Sequence, residues 1–311
     1  MATADTIAEP LPAEPLAAVR PKFADFLELT KPKIAVMALI TVAVGYLLGA
    51  DPTNVRPDLL LHTLVGAGVV AAGGSALNHW LERRADAKMW RTANRPLPAG
   101  RITPEEVLGF GWTLGVGGVI YLLAALPTPS AAIAAGLTFV LYVGVYTPLK
   151  RLTHWNTVVG AVPGALPPVI GWVAARGTLD AGGLALFAIL FVWQLPHFYS
   201  IAWLHRDDYA RGGMVMLPIL DGPDGKLTGR ATVATCVLLL AVTATPFWAG
   251  SVGAVYLLGS VPLAVWFLAR GVRFAKHPTN PTARTLLRGS LVYLCGVMAL
   301  LVLDGVLPRY I

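Results

Sequence analysis

The chain is 311 residues long, 56% hydrophobic and only 13% charged, with a mean hydropathy of +0.64. A soluble domain carries about 45–50% apolar and about 25% charged residues, so this composition excludes a water-soluble fold and points to an integral membrane protein. The 32 Gly and 24 Pro lie within apolar runs and follow no period, which excludes collagen and disorder and matches what membrane helices tolerate.

Residues 1–22 carry Asp5, Glu9, Glu14 and repeated prolines, with no apolar run of signal-peptide length, and are expected to form a disordered cytoplasmic tail. Residues 23–311 are expected to form a single membrane domain, all-α. Nine stretches lack Asp, Glu, Lys and Arg: 34–50, 60–79, 107–126, 131–147, 157–175, 184–204, 231–249, 252–269 and 289–303. At 1.5 Å per residue most of them match a hydrocarbon core of about 30 Å, so nine transmembrane helices are predicted. The fifth, with Pro163, Pro167 and Pro168, and the ninth, cut short before Asp304, are the least regular. Cys236 and Cys295 each sit in an apolar run, which leaves no disulfide framework and no Cys-based metal site.

With the N-terminus in the cytoplasm, 21 of the 24 Lys and Arg fall on the inner side and only Arg56, Arg176 and Arg309 on the outer. That asymmetry is the positive-inside signal, so the net charge of +7 reads as membrane orientation and gives no reason to invoke nucleic acid. Two inner connections are long, 80–106 and 205–230, and long loops on one face are where function concentrates. Both carry acidic then basic residues, which suggests a weak internal duplication.

In the first of these loops Asn78, Glu82 and Asp86 recur every four residues, so a helix continuing past the membrane border presents all three on one face. A row of oxygen ligands suits Mg²⁺, which binds through one or two carboxylates together with substrate phosphates. Lys88, Arg91 and Arg95 follow and supply what phosphate oxygens need. The same residues equally describe a helix end with solvated charge pairs. The second loop opens Arg206-Asp207-Asp208, a second acidic pair at the same border. Facing the first set across one diphosphate, it would hold further metal; read alone it is an ordinary turn. Lys150 and Arg151 at the inner end of the fourth span either clamp phosphate or only obey the charge rule. His197 lies within the sixth span beside Pro196, a depth at which an ionisable group is a base, a haem ligand, a hydrogen-bond donor or a satisfied core histidine. Trp193, Phe198 and Tyr199 flank it as candidate carbocation stabilisers, although aromatic packing is commoner.

These loops resemble the UbiA superfamily of intramembrane prenyltransferases, in particular its haem-directed branch. The match lies in Asn78 to Asp86 with Arg91-Thr92-Ala93-Asn94-Arg95-Pro96-Leu97-Pro98, in Tyr146 to Arg151, in Trp193 to Tyr199, and in Asp207-Asp208-Tyr209 through Met216-Leu217-Pro218. Glu82 stands where the family usually carries aspartate, and the second motif lacks the pair of aspartates four apart seen in quinone-directed relatives. The resemblance implies a nine-helix bundle in the bacterial inner membrane, with its active site at the cytoplasmic border. It implies transfer of a farnesyl group from farnesyl diphosphate to the vinyl group of haem B, with water added. Asn78, Glu82, Asp86, Asp207 and Asp208 would then be catalytic and bind Mg²⁺. Lys88, Arg91, Arg95, Lys150, Arg151 and Arg206 would hold diphosphate, and His197, Trp193 and Tyr199 haem. The expected surroundings are membrane lipid and a downstream haem A synthase. A prenyltransferase for a quinone precursor and a haem or metal carrier are the alternatives.

Overall fold

The structure, a computed structural model, describes residues 22–222 and 224–310. The expected tail lies outside the described residues as far as residue 21, and Lys22 already opens a short helix, Lys22–Leu29. Among the described residues there is no strand, and nine helices are long and apolar enough to cross a membrane. They are α1 Pro32–Gly49, α2 Pro57–Asp86, α3 Pro104–Ala125, α4 Ser130–Leu149, α5 Asn156–Arg176, α6 Ala181–Leu204, α7 Lys226–Trp248, α8 Ala254–Lys276 and α9 Asn280–Val306. Each predicted stretch maps onto one of them.

Local chemistry sets the ends. Pro32, Pro57 and Pro104 open α1, α2 and α3 at the position where a missing N–H costs nothing. Thr103 and Glu106 close a reciprocal capping box at the start of α3, and Asp180 accepts from the Gly182 N–H at the start of α6. The two irregular spans have specific causes. The α5 span is two stacked helices, Asn156–Ala165 and Pro167–Arg176, because Pro167 and Pro168 offer no N–H to continue the ladder. The α9 span is longer than predicted and retains Asp304 within a π turn, Leu301–Val306; its carboxylate accepts from the Tyr256 N–H at 2.9 Å and so caps α8 from a neighbouring helix.

Consecutive spans pack side by side. The second half of α5 lies against α1, α6 touches α5, α7 and α9, and the π turn of α9 returns to α1. A Cβ on Gly45 would run into the Pro168 carbonyl and one on Gly171 into the Val42 carbonyl, so these two glycines set how closely α1 and α5 approach. The α2 helix has 30 residues, about 45 Å at 1.5 Å each, well beyond a bilayer core of about 30 Å. Its last turns therefore carry Asn78 to Asp86 to the rim where the two long loops meet.

Candidate active site

Asn78, Glu82 and Asp86 do lie on one face of α2, and all three are buried, with 1%, 6% and 0% of their surface exposed. Each is held by a cation from a different segment. Lys31 Nζ donates to Asn78 Oδ1 at 2.7 Å, Lys150 Nζ to Glu82 Oε1 at 2.7 Å, and Arg95 Nη1 to Asp86 Oδ2 at 2.7 Å. The Asn78 amide nitrogen donates to Thr147 Oγ1, and Thr92 Oγ1 donates to the Asp86 carbonyl. Asp86 Oδ1, by contrast, is buried and has no hydrogen-bond partner among the described residues. A buried carboxylate oxygen without a hydrogen-bond donor favours a counter-charge, and the neighbouring Asn78 and Glu82 offer oxygens, so the residues fit a hard divalent cation.

One turn before its end the α4 helix passes through a π turn, Leu141–Tyr146, whose extra residue per turn brings Tyr142 and Tyr146 beside the row. Lys150 Nζ lies 4.6 Å from the centre of the Tyr146 ring. Burial works against this ammonium, but the Glu82 carboxylate, with Tyr146 and Tyr142, outweighs it and holds the Lys150 pKa well above the ordinary lysine value.

Lys31 is the residue that sequence reasoning missed, having counted it only as an orientation charge. It joins the short helix to α1 in the left-handed region, φ 49° and ψ 59°, which a lysine adopts only under constraint. Burial first, and then the Arg95 charge, pull its pKa down to about 7 from an ordinary 10.5. Between those values the unfolded chain binds more protons than the folded one. Stability is therefore expected to rise with pH across that window, with the penalty fully present below pH 7. Denaturation midpoints measured from pH 6.5 to 9.5 should climb in the wild type and flatten in Lys31→Met; equal slopes would contradict the assignment.

The second acidic pair has partners of its own. The Asp207 side chain is 83% exposed, with Arg206 3.9 Å away, while Arg206 itself stacks on Trp203. Asp208 instead joins the two loops. It accepts from the Trp90 N–H at 3.1 Å and pairs with Arg211, whose guanidinium covers the Trp90 ring at 4.3 Å. Against its partial burial these partners hold Asp208 below the usual carboxylate range. Met89, Met214 and Met216 pack together beneath this clasp. Among the described residues no three His, Cys, Asp or Glu side chains gather within reach of one ion.

The remaining basic candidates divide. Arg95 and Lys150 reach the row; Lys88 and Arg91 are exposed, with Arg91 near the Tyr209 ring, and Arg151 donates to the Leu81 carbonyl. His197 and Trp193 sit at the seam of α6 with α9. His197 Nδ1 lies 2.7 Å from Ser290 Oγ, and the Trp193 indole N–H donates to the Ser290 carbonyl. Ser290 Oγ donates its own proton to the Leu287 carbonyl, so it accepts from His197 Nδ1–H and leaves Nε2 with a lone pair. Tyr199 faces elsewhere, packing with Ala161, Leu195 and Leu217. A cavity of about 750 Å³ beside Trp172, Arg176 and Asp180 opens at the opposite rim.

A profile described as the UbiA prenyltransferase family matches residues 38–295. A protoheme IX farnesyltransferase of Solibacter usitatus is 45% identical over 288 residues, covering 90% of this chain and 98% of that protein. Among solved structures, a digeranylgeranylglyceryl phosphate synthase superposes with a TM-score of 0.77 at 19% identity, over 92% of this chain and 99% of that one. A UbiA homologue of Archaeoglobus fulgidus bound to GPP and Mg²⁺ superposes with a TM-score of 0.63 at 16% identity, over 89% and 99%.

Proposed function

The chain belongs to the UbiA prenyltransferase family, and from that premise we propose that it transfers a farnesyl group from farnesyl diphosphate to the vinyl group of haem B, with addition of water, giving haem O and diphosphate. The name of the Solibacter relative supports the choice of substrates. The single structural observation that carries the chemistry is the buried, unpaired Asp86 Oδ1, set in an oxygen row against three cations.

Lys31, Arg95 and Lys150 receive the diphosphate and balance its charge where water is scarce and each ion pair is correspondingly strong. Asp86, with Glu82 and Asn78, would hold Mg²⁺, which when bound neutralises the leaving diphosphate. As the C–O bond loosens, positive charge develops on the allylic carbon, and the faces of Tyr142 and Tyr146 beside the row lend it cation–π stabilisation. The vinyl π pair of haem then forms the new C–C bond. Burial of the row keeps bulk water from intercepting the prenyl cation as farnesol. We assign haem contact to the free Nε2 of His197, beside Trp193, and the holding of the two loops over the site to Asp208. The rim carrying these loops is assigned to the cytoplasmic side of a bacterial inner membrane, on the strength of its 21 basic residues against three.

The decisive assay offers purified protein farnesyl diphosphate with either haem B or 4-hydroxybenzoate. A farnesylated haem is expected, and prenylation of 4-hydroxybenzoate alone would overturn the reading. In the same assay His197→Ala is expected to weaken haem binding about tenfold or more while leaving the affinity for farnesyl diphosphate within about twofold, as loss of one ligand to one substrate predicts. Equal losses on both substrates would remove the haem assignment.

A further inference from the structure

His79 is 2% exposed, and among the described residues neither of its ring nitrogens has a hydrogen-bond partner. Buried imidazoles are nearly always paired, because an unmatched N–H or lone pair costs the full loss of its hydration. The ring is also well placed. Seven residues before Asp86 on the same helix, it lies within about 20° of that side chain around the axis and about 10.5 Å further into the bilayer. It therefore sits on the apolar side of the diphosphate row, within electrostatic reach of Lys31, Arg95 and Lys150.

We propose that His79 holds the water molecule that adds to the haem side chain. The inference rests on the function assigned above and deepens it. The choice of water over a diphosphate oxygen follows from hydrogen-bond chemistry. A neutral imidazole presents one N–H and one lone pair; diphosphate oxygens only accept, so they leave the lone pair unmatched. Water both donates and accepts. Lys31 donates to Asn78 and Lys150 to Glu82, and among the described residues neither ammonium donates to that lone pair.

The step balances without further reagents. The bond from the prenyl carbon to oxygen breaks with both electrons going to diphosphate, and the vinyl π pair forms the new C–C bond, which leaves a cation on the vinyl carbon next to the porphyrin. The oxygen of the held water adds to that carbon, and the proton it loses goes to the released diphosphate. One molecule held by His79 reconciles a site that excludes bulk water with a product that contains a hydroxyl.

The test measures the ratio of hydroxylated haem adduct to diphosphate released, in H₂¹⁸O, for the wild type, His79→Gln and His79→Phe. Wild type should incorporate one ¹⁸O per adduct. His79→Phe should lower the ratio at least tenfold, with farnesol or a dehydrated adduct making up the difference, and its KM for farnesyl diphosphate should stay within threefold. His79→Gln, which keeps a donor and an acceptor, should recover much of the ratio. An unchanged ratio in His79→Phe would overturn the proposal, as would an intact ratio with a tenfold higher KM, which would put the ring on diphosphate. If His79→Phe fails to fold, His79→Leu is read by the same ratio. A wild type that forms no haem adduct would overturn the functional reading itself, and this proposal with it.

Discussion

Asp86→Ala is expected to slow diphosphate release by about 10²–10³-fold, the size of effect seen when one preorganised electrostatic group is removed from an active site. The carboxylate has one oxygen tied to Arg95 and one without a hydrogen-bond partner among the described residues, so the substitution removes the oxygen proposed to hold the metal along with the ion pair. Folding should survive, because Arg95 is one-fifth exposed and can turn to solvent. Asn78→Ala should fall in the same range, since Asn78 links Lys31 to Thr147 across the row. Diphosphate release measured against a Mg²⁺ titration checks both. Activity within tenfold of wild type in Asp86→Ala would dismiss the row as the reacting centre.

Lys150→Met is expected to cost about 3–5 kcal/mol of stability, because it strands the Glu82 carboxylate, buried and unpaired, in a medium of low dielectric. The companion variant separates stability from chemistry. Glu82→Gln together with Lys150→Met removes both charges and should regain most of the loss while remaining inactive. By contrast, neutralising exposed Asp207 should move stability by about 0–1 kcal/mol. Thermal unfolding in detergent with parallel turnover measurements distinguishes these outcomes; additive losses in the double variant would mean that Lys150 and Glu82 do not act as a pair.

The parts legible in the sequence were those with a short-range cause. The nine apolar runs and the four-residue spacing of Asn78, Glu82 and Asp86 depend only on helix geometry and hydrocarbon thickness, and both reappear in the structure. What the sequence concealed was long-range. Lys31 meets Asn78 across 47 positions, and only the packed bundle reveals that its ammonium belongs to the row. Asp208 drew notice as one of two acids at the same border; that it also accepts from the Trp90 N–H and pairs with Arg211 is set by how the two loops lie together. Asp304 seemed to end the last span, yet a cap offered to another helix is invisible to any reading along one chain. The π turn that aims Tyr142 and Tyr146 likewise leaves no periodic trace.

The short helix Lys22–Leu29 is stapled to the first loop, with Arg101 Nε on Asp25 at 2.9 Å and Lys22 Nζ on Glu106 at 2.8 Å. Immediately afterwards the chain turns through Lys31. A protein engineer trimming the front of this polypeptide would therefore be cutting into the reaction chamber: shortened versions that begin at Pro32 keep every membrane crossing but arrive without one of the three positive groups that greet the substrate, so expression tags belong ahead of Lys22.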